Sequence, residues 1–163
     1  MVRTNLISGT WGCLVSNNKN FNLIDTAGLK RPGKTKFGIE KFSLLRVLQA
    51  IERSDIVVLL IDGDKDVSTQ DCHIAQHALE QEKGLIIAIN KIDLFEKGES
   101  IKNRIMSKLK RRFAFVPWAP VIFISAKNKK NTYEILNLAI EIMNERKKRI
   151  STPELNGFLQ KIT

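Results

Sequence analysis

The residues best suited to chemistry lie in the tetrapeptide Asn90-Lys91-Ile92-Asp93. A carboxylate fixed there can accept two parallel hydrogen bonds from the N1–H and 2-amino groups of guanine. An amide side chain can donate to an acceptor, and a lysine stem can cover the ring. Guanine suits that set of groups better than adenine. Taken alone, the tetrapeptide is also an ordinary turn of loop-forming residues, so its companions must decide. Two other short segments carry comparable groups, Asp25-Thr26-Ala27-Gly28 and Ser125-Ala126-Lys127.

Each segment follows a stretch that reads as a strand. The apolar run Leu85 to Ile89 is too short for a lone helix and predicts a buried strand that delivers Asn90, Lys91 and Asp93 beyond its carboxyl end. Open parallel sheets bind ligands at that place. Phe21 to Asp25, Asp55 to Asp62 and Val121 to Ile124 predict further strands, with 55–62, carrying the apolar run Ile56 to Ile61, also buried. Ile39, Phe42, Leu45, Leu48 and Ile51 recur at helical spacing and predict a helix over 38–53. Other helices are expected over 69–82, 101–113 and 132–148, and this alternation predicts an α/β domain with a largely parallel sheet. Ser151 and Glu154 have capping-box spacing, so a fresh helix should begin there.

Composition bounds the function. The 163 residues, 43% hydrophobic, suffice for one domain with a sizeable core. No apolar run reaches the length of a membrane span and no basic-then-apolar leader is visible, so a cytoplasmic protein is expected. Cys13 and Cys72 are too few for a disulfide framework or a zinc site. The formal charge of +10 favours a polyanionic partner, RNA foremost, although a lysine-rich surface alone would also explain it.

Asp25-Thr-Ala-Gly28, Asn90-Lys-Ile-Asp93 and Ser125-Ala-Lys127 occur in this order, each after a predicted strand, and in this the chain resembles the translation-factor-like P-loop GTPases. More closely, the segments Asn22 to Leu29, Gly38 to Ser43, Ala50 to Asp55 and Arg149 to Asn156 resemble the second GTPase domain of the Der (EngA) family. Members of that family are tandem GTPases of large ribosomal subunit assembly, with a KH-like domain beyond the second GTPase domain. The resemblance runs from Phe21 to the C-terminus. It implies a Ras-like sheet flanked by helices, with GTP or GDP and magnesium as ligands, potassium as a family aid to hydrolysis, and ribosomal RNA or the 50S subunit as partner. No membrane contact is implied. It further implies that Asp25 acts on magnesium through water and that the Gly28 amide meets the γ-phosphate. Asn90, Lys91 and Asp93 would read guanine, and Ser125, Ala126 and Lys127 would support the base. The corresponding organisation is a divergent switch-one remnant over 1–20, a partial GTPase domain over 21–149, and a linker opening a KH-like domain over 150–163.

The resemblance fails at the amino end. A GTPase needs a Gly-rich turn whose amides cradle phosphates while a lysine reaches the β and γ oxygens, and nothing before Asp25 supplies it. Gly28 to Thr35 matches the G-x-x-x-x-G-K-[ST] pattern literally. Pro32, however, has no N–H where the cradle needs donors. Ser8-Gly9-Thr10 resembles the start of the family's switch-one motif, but Trp11-Gly12-Cys13 replaces its continuation, so Thr10 is the weaker magnesium candidate. Leu29 stands where many small GTPases have a water-orienting glutamine. The domain is therefore expected to lack the first strand and phosphate loop and to be impaired in phosphate binding and hydrolysis; no catalytic residue is assigned. Asn5-Leu6-Ile7, or a partner polypeptide, is expected to cover the edge so exposed. The alternatives are a non-catalytic basic module that binds ribosomal RNA through 102–112 and 127–130, or a non-functional gene fragment.

Three other groups admit a sharper and a plainer reading. Cys72, His73 and His77 could hold a metal, but an exposed helix face explains them. Phe113, Phe115 and Trp118 beside Lys110-Arg111-Arg112 could stack on RNA bases, with core or loop packing the favoured reading. Asp62 ends a strand like a magnesium-binding carboxylate, and a helix end or turn is the reading preferred.

Overall fold

The structure, a computed structural model, describes residues 12–16, 18–26, 37–94 and 99–162. In chain order the elements are β1 (Gly12–Ser16), β2 (Lys19–Leu23), α1 (Phe37–Arg53), β3 (Ile56–Asp62), α2 (Thr69–Glu80), β4 (Gly84–Asn90), α3 (Glu99–Arg112), β5 (Val121–Phe123), α4 (Glu134–Lys147) and α5 (Thr152–Ile162). Strands β3, β4 and β5 form one parallel sheet in that spatial order. β4 lies in the middle, and every residue from Gly84 to Ile89 is buried. Its unbroken apolar run follows from cover on both faces.

The two faces carry separate cores. Leu85, Ile87 and Ile89 pack with Val47 and Ile51 of α1, Ala75 and Ala78 of α2 and Leu109 of α3. Ile86 and Ala88 point the other way, onto Ile122, Ile124 and Ala139 of α4, with Ile135, Leu138 and Ile142 partly buried against them. Gly84 lets α4 approach the strand, because a Cβ there would stand 2.7 Å from Ile142 Cγ2. In α1 the buried side chains are Val47, Ala50 and Ile51, whereas Leu45 is exposed. The side chains of Ile39 and Phe42 lie outside the described residues.

Two strand expectations need correction. Phe21–Asp25 does not stand as a strand of the parallel sheet. The strand is Lys19–Leu23, paired antiparallel with Gly12–Ser16 as a separate two-stranded sheet. Asn18 sits at φ 58° beside the turn of that hairpin, in the left-handed region that asparagine tolerates. β3, expected to be buried, has only β4 as a partner among the described residues, and Val58 and Leu60 are 41% and 55% exposed. Ile61, one step along, is buried because the pleat turns it to the covered face. Asn5–Ile7 lies outside the described residues. The capping expectation holds: Ser151 donates from its backbone N–H and its Oγ to Glu154 Oε2, at 3.1 and 2.8 Å, ahead of α5.

Candidate functional site at the carboxyl ends of β4 and β5

Parallel pairing brings the carboxyl ends of β4 and β5 side by side, and the loops beyond them are stitched together. Ile92 N–H donates to the Ile124 carbonyl and Ile124 N–H to the Ile89 carbonyl. Across this seam the Ala126 N–H donates to Asn90 Oδ1 at 3.0 Å. Asn90 is thereby fixed as an acceptor from one loop, with its amide nitrogen as its remaining donor. Ser125 is fully buried; its Oγ donates to Asp93 Oδ1 at 2.6 Å and accepts from the Asn128 N–H at 3.1 Å. That bond to Ser125 is the main cause holding the Asp93 carboxyl below its ordinary pKa, so the group is a carboxylate at neutral pH. Asp93 lies on the short 3-10 turn Ile92–Leu94.

Lys91 occupies the left-handed region at φ 67°, an uncommon conformation for a non-glycine residue and one that clusters at functional loops. Its ammonium lies 2.9 Å from Asp62 Oδ2 and 3.3 Å from Asp64 Oδ2, at the carboxyl end of β3. Asp62 also accepts from Lys65 at 2.8 Å. The hydrogen bond from Lys65, then that from Lys91, lowers the Asp62 pKa; the Asp62 bond raises that of Lys91. Asp62 thus does more than end a turn: it anchors the lysine of the neighbouring loop. Its position at a strand end was the visible signal; the partner across the sheet was not.

Asn90, Lys91, Asp93, Leu94 and Lys127 line a surface pocket of about 390 Å³, within the roughly 300–1,000 Å³ typical of small-ligand sites. The structure therefore brings together Asn90, Lys91, Asp93, Ser125, Ala126 and Lys127. Asp25 follows β2 of the separate hairpin and is exposed. Gly28, Thr10 and the Gly28–Thr35 pattern lie outside the described residues. Among the described residues no cluster of His, Cys, Asp or Glu is arranged to hold a metal, so Cys72, His73 and His77 do not form one.

The sequence and the fold that build this site have counterparts among known proteins. The family model of the elongation factor Tu GTP-binding domain matches residues 4–145. The chain belongs to that family. GTPase Der of Thermomicrobium roseum is 42% identical over 149 residues, which cover 90% of this chain and 32% of the relative. GTPase Der of Chloroflexus aggregans is 45% identical over 140 residues, covering 86% of this chain and 31% of the relative. Within the family this is a Der-type domain, spanning about a third of the length of the curated relatives it matches. The fold is that of Era, crystallised with MgGDPNP and a segment of 16S ribosomal RNA. That structure superposes with a TM-score of 0.63 at 23% identity, over 81% of this chain and 43% of Era. No helix among the described residues is long and apolar enough to cross a membrane.

Proposed function

We propose that this GTP-binding domain recognises the guanine base through Asp93, with Asn90 and the Lys91 stem completing the base pocket and Ser125, Ala126 and Lys127 supporting it. The carrying observation is the Asp93 carboxylate, held at 2.6 Å by the buried Ser125 hydroxyl at the rim of a pocket of about 390 Å³. A carboxylate clamped on one oxygen presents a fixed acceptor to the two adjacent donors of guanine. Adenine has no such donor pair. Magnesium would be met by Asp25 through water, with Gly28 at the γ-phosphate and Thr10 as a second contact. Asp25 follows the separate hairpin, and Gly28 and Thr10 lie outside the described residues. We assign the strand-end cluster base recognition, with phosphate binding and hydrolysis impaired because Pro32 removes an amide donor from the Gly28–Thr35 pattern.

Titration calorimetry with guanosine, GDP, GTP and ADP tests this directly. Guanosine and GDP should bind with affinities within about tenfold of each other, a difference of at most ~1.4 kcal/mol, and ADP should not bind. GDP binding orders of magnitude tighter than guanosine, with GTP turnover, would refute the loss of phosphate binding. Absence of guanosine binding, or equal binding by Asp93→Asn, would refute the base site.

A second component of the proposal concerns the partner. From Ser100 to Lys130 the sequence holds nine lysines and arginines and no aspartate or glutamate, an electrostatic footprint suited to RNA. Together with the Der relationship, this supports contact with ribosomal RNA of the large subunit in the cytoplasm.

A further inference from the structure

The connector after α3 buries Phe113, as core packing predicts, but leaves Phe115 and Trp118 exposed. Val116 N–H donates to the Phe113 carbonyl at 2.9 Å and Ala119 N–H to the Val116 carbonyl at 3.1 Å, so 113–119 runs as successive three-residue turns. That spacing buries Phe113, Val116 and Ala119, at 4%, 2% and 8% exposure. The residues between are left outside, Phe115 at 41% and Trp118 at 56% exposure, with the Phe115 ring resting at 6.2 Å, tilted, against that of Phe113. The Arg112 guanidinium is fixed by its bond to the Val67 carbonyl at 3.2 Å. Lys110 and Arg111 in the last turn of α3 are exposed beside it. Phe115 and Trp118 are large exposed aromatics only three positions apart. These two interrupt the acid-free, strongly basic stretch 100–130.

We infer that Phe115 and Trp118 form a stacking platform for unpaired bases of single-stranded RNA, with Lys110, Arg111 and Arg112 holding the adjoining phosphates. The inference rests on the RNA component of the proposed function and adds a place and a preference to it. Every base has a π-face, so such a platform selects unstacked strands over duplex while tolerating sequence. A protein partner fits less well, because the stretch 100–130 that carries the two aromatics holds no aspartate or glutamate.

The test uses the full chain in a Trp11→Phe background, so that Trp118 is the sole tryptophan reporter. The probes are a mixed-sequence 12-nucleotide RNA and its duplex. The single strand should quench Trp118 and bind more tightly than the duplex. Trp118→Ala, followed by anisotropy of labelled RNA, should weaken the single strand roughly 5- to 150-fold, the range for loss of one stacked base, Phe115→Ala/Trp118→Ala should weaken it further, and both should leave the duplex unchanged. Trp118→Phe should restore most of the affinity, which a merely misfolded connector would not. Lys110→Ala/Arg111→Ala should weaken both probes and flatten the salt dependence. Equal binding of both probes with no effect of the aromatic changes overturns the platform while leaving general RNA contact standing. No binding to either probe refutes both. Concentration-dependent self-association relieved by Trp118→Ala, without any effect on RNA, also overturns the platform.

Discussion

Replacing Ser125 by alanine probes the proposed base site from beneath. The side chain is fully buried, and alanine keeps its Cβ, so the perturbation is the loss of one oxygen and two hydrogen bonds rather than a packing defect. One bond is the 3.1 Å contact from the Asn128 N–H, worth about 1 kcal/mol as a neutral pair. The other is the 2.6 Å bond to Asp93, whose carboxylate can turn to water, so its loss falls on orientation rather than on stability. Denaturant unfolding should show a decrease of about 1 kcal/mol, or a Tm lower by roughly 2–4 °C for a domain of this size. Because Ser125 is the main cause of the depressed Asp93 pKa, NMR titration should show that carboxyl moving up towards its ordinary 3.8. Guanosine affinity should fall about tenfold, equivalent to ~1.4 kcal/mol. Asn128→Ala retains the backbone N–H and should change none of these. If Ser125→Ala leaves the Asp93 titration and guanosine affinity as they were, the hydroxyl does not orient the carboxylate and the clamp argument fails.

Gly84→Ala should destabilise the domain by about 1–3 kcal/mol through overpacking, since its Cβ would meet Ile142 Cγ2 at 2.7 Å; Ile142→Val, which keeps that methyl, should not relieve the defect, whereas Ile142→Ala should. Ile86→Ala removes a fully buried side chain and should cost about 2–5 kcal/mol, while Leu60→Ala, at a position 55% exposed, should cost under about 1 kcal/mol; equal losses in urea unfolding would contradict the exposure of Leu60. The Asp62 pKa is lowered from 3.8 by Lys65 and Lys91, so its contribution is present above that value and lost as pH falls through the folded pKa. Asp62→Asn should therefore flatten the acid limb of the stability profile below 3.8 and leave Lys91 without its closest anchor, seen as faster 15N relaxation of the 90–94 loop.

Much of the sheet was legible because β4 is covered on both faces: an apolar run from Leu85 to Ile89 has few alternatives in a short segment. The hairpin was not legible. Asn17-Asn18 is a turn signal in the sequence, yet both strands are short, β2 is largely polar and exposed, and β1 turns Val15 to water, so no apolar alternation marks the pair. The exposure of Phe115 and Trp118 was likewise hidden, since aromatic type alone cannot say which third of a three-residue turn faces the core. Lys91 and Asp62 are 29 positions apart in sequence, and only the pairing of Asp62 with Asn90 at the ends of adjacent strands makes them neighbours.

The sequence by itself determined the order of elements from α1 onward, the strand-end placement of Asn90, Lys91 and Asp93, and the basic character of 100–130, because these depend on local periodicity, run length and charge. Tertiary structure decided what those residues touch. The register of β3 on β4 turned Asp62 into the anchor of Lys91. The seam between β4 and β5 turned Ser125 and Asn90 into the clamps of two loops, and the pitch of the connector chose which aromatics meet water. Hydrogen bonds between distant segments exist only once the strands have aligned, and no local pattern encodes that alignment.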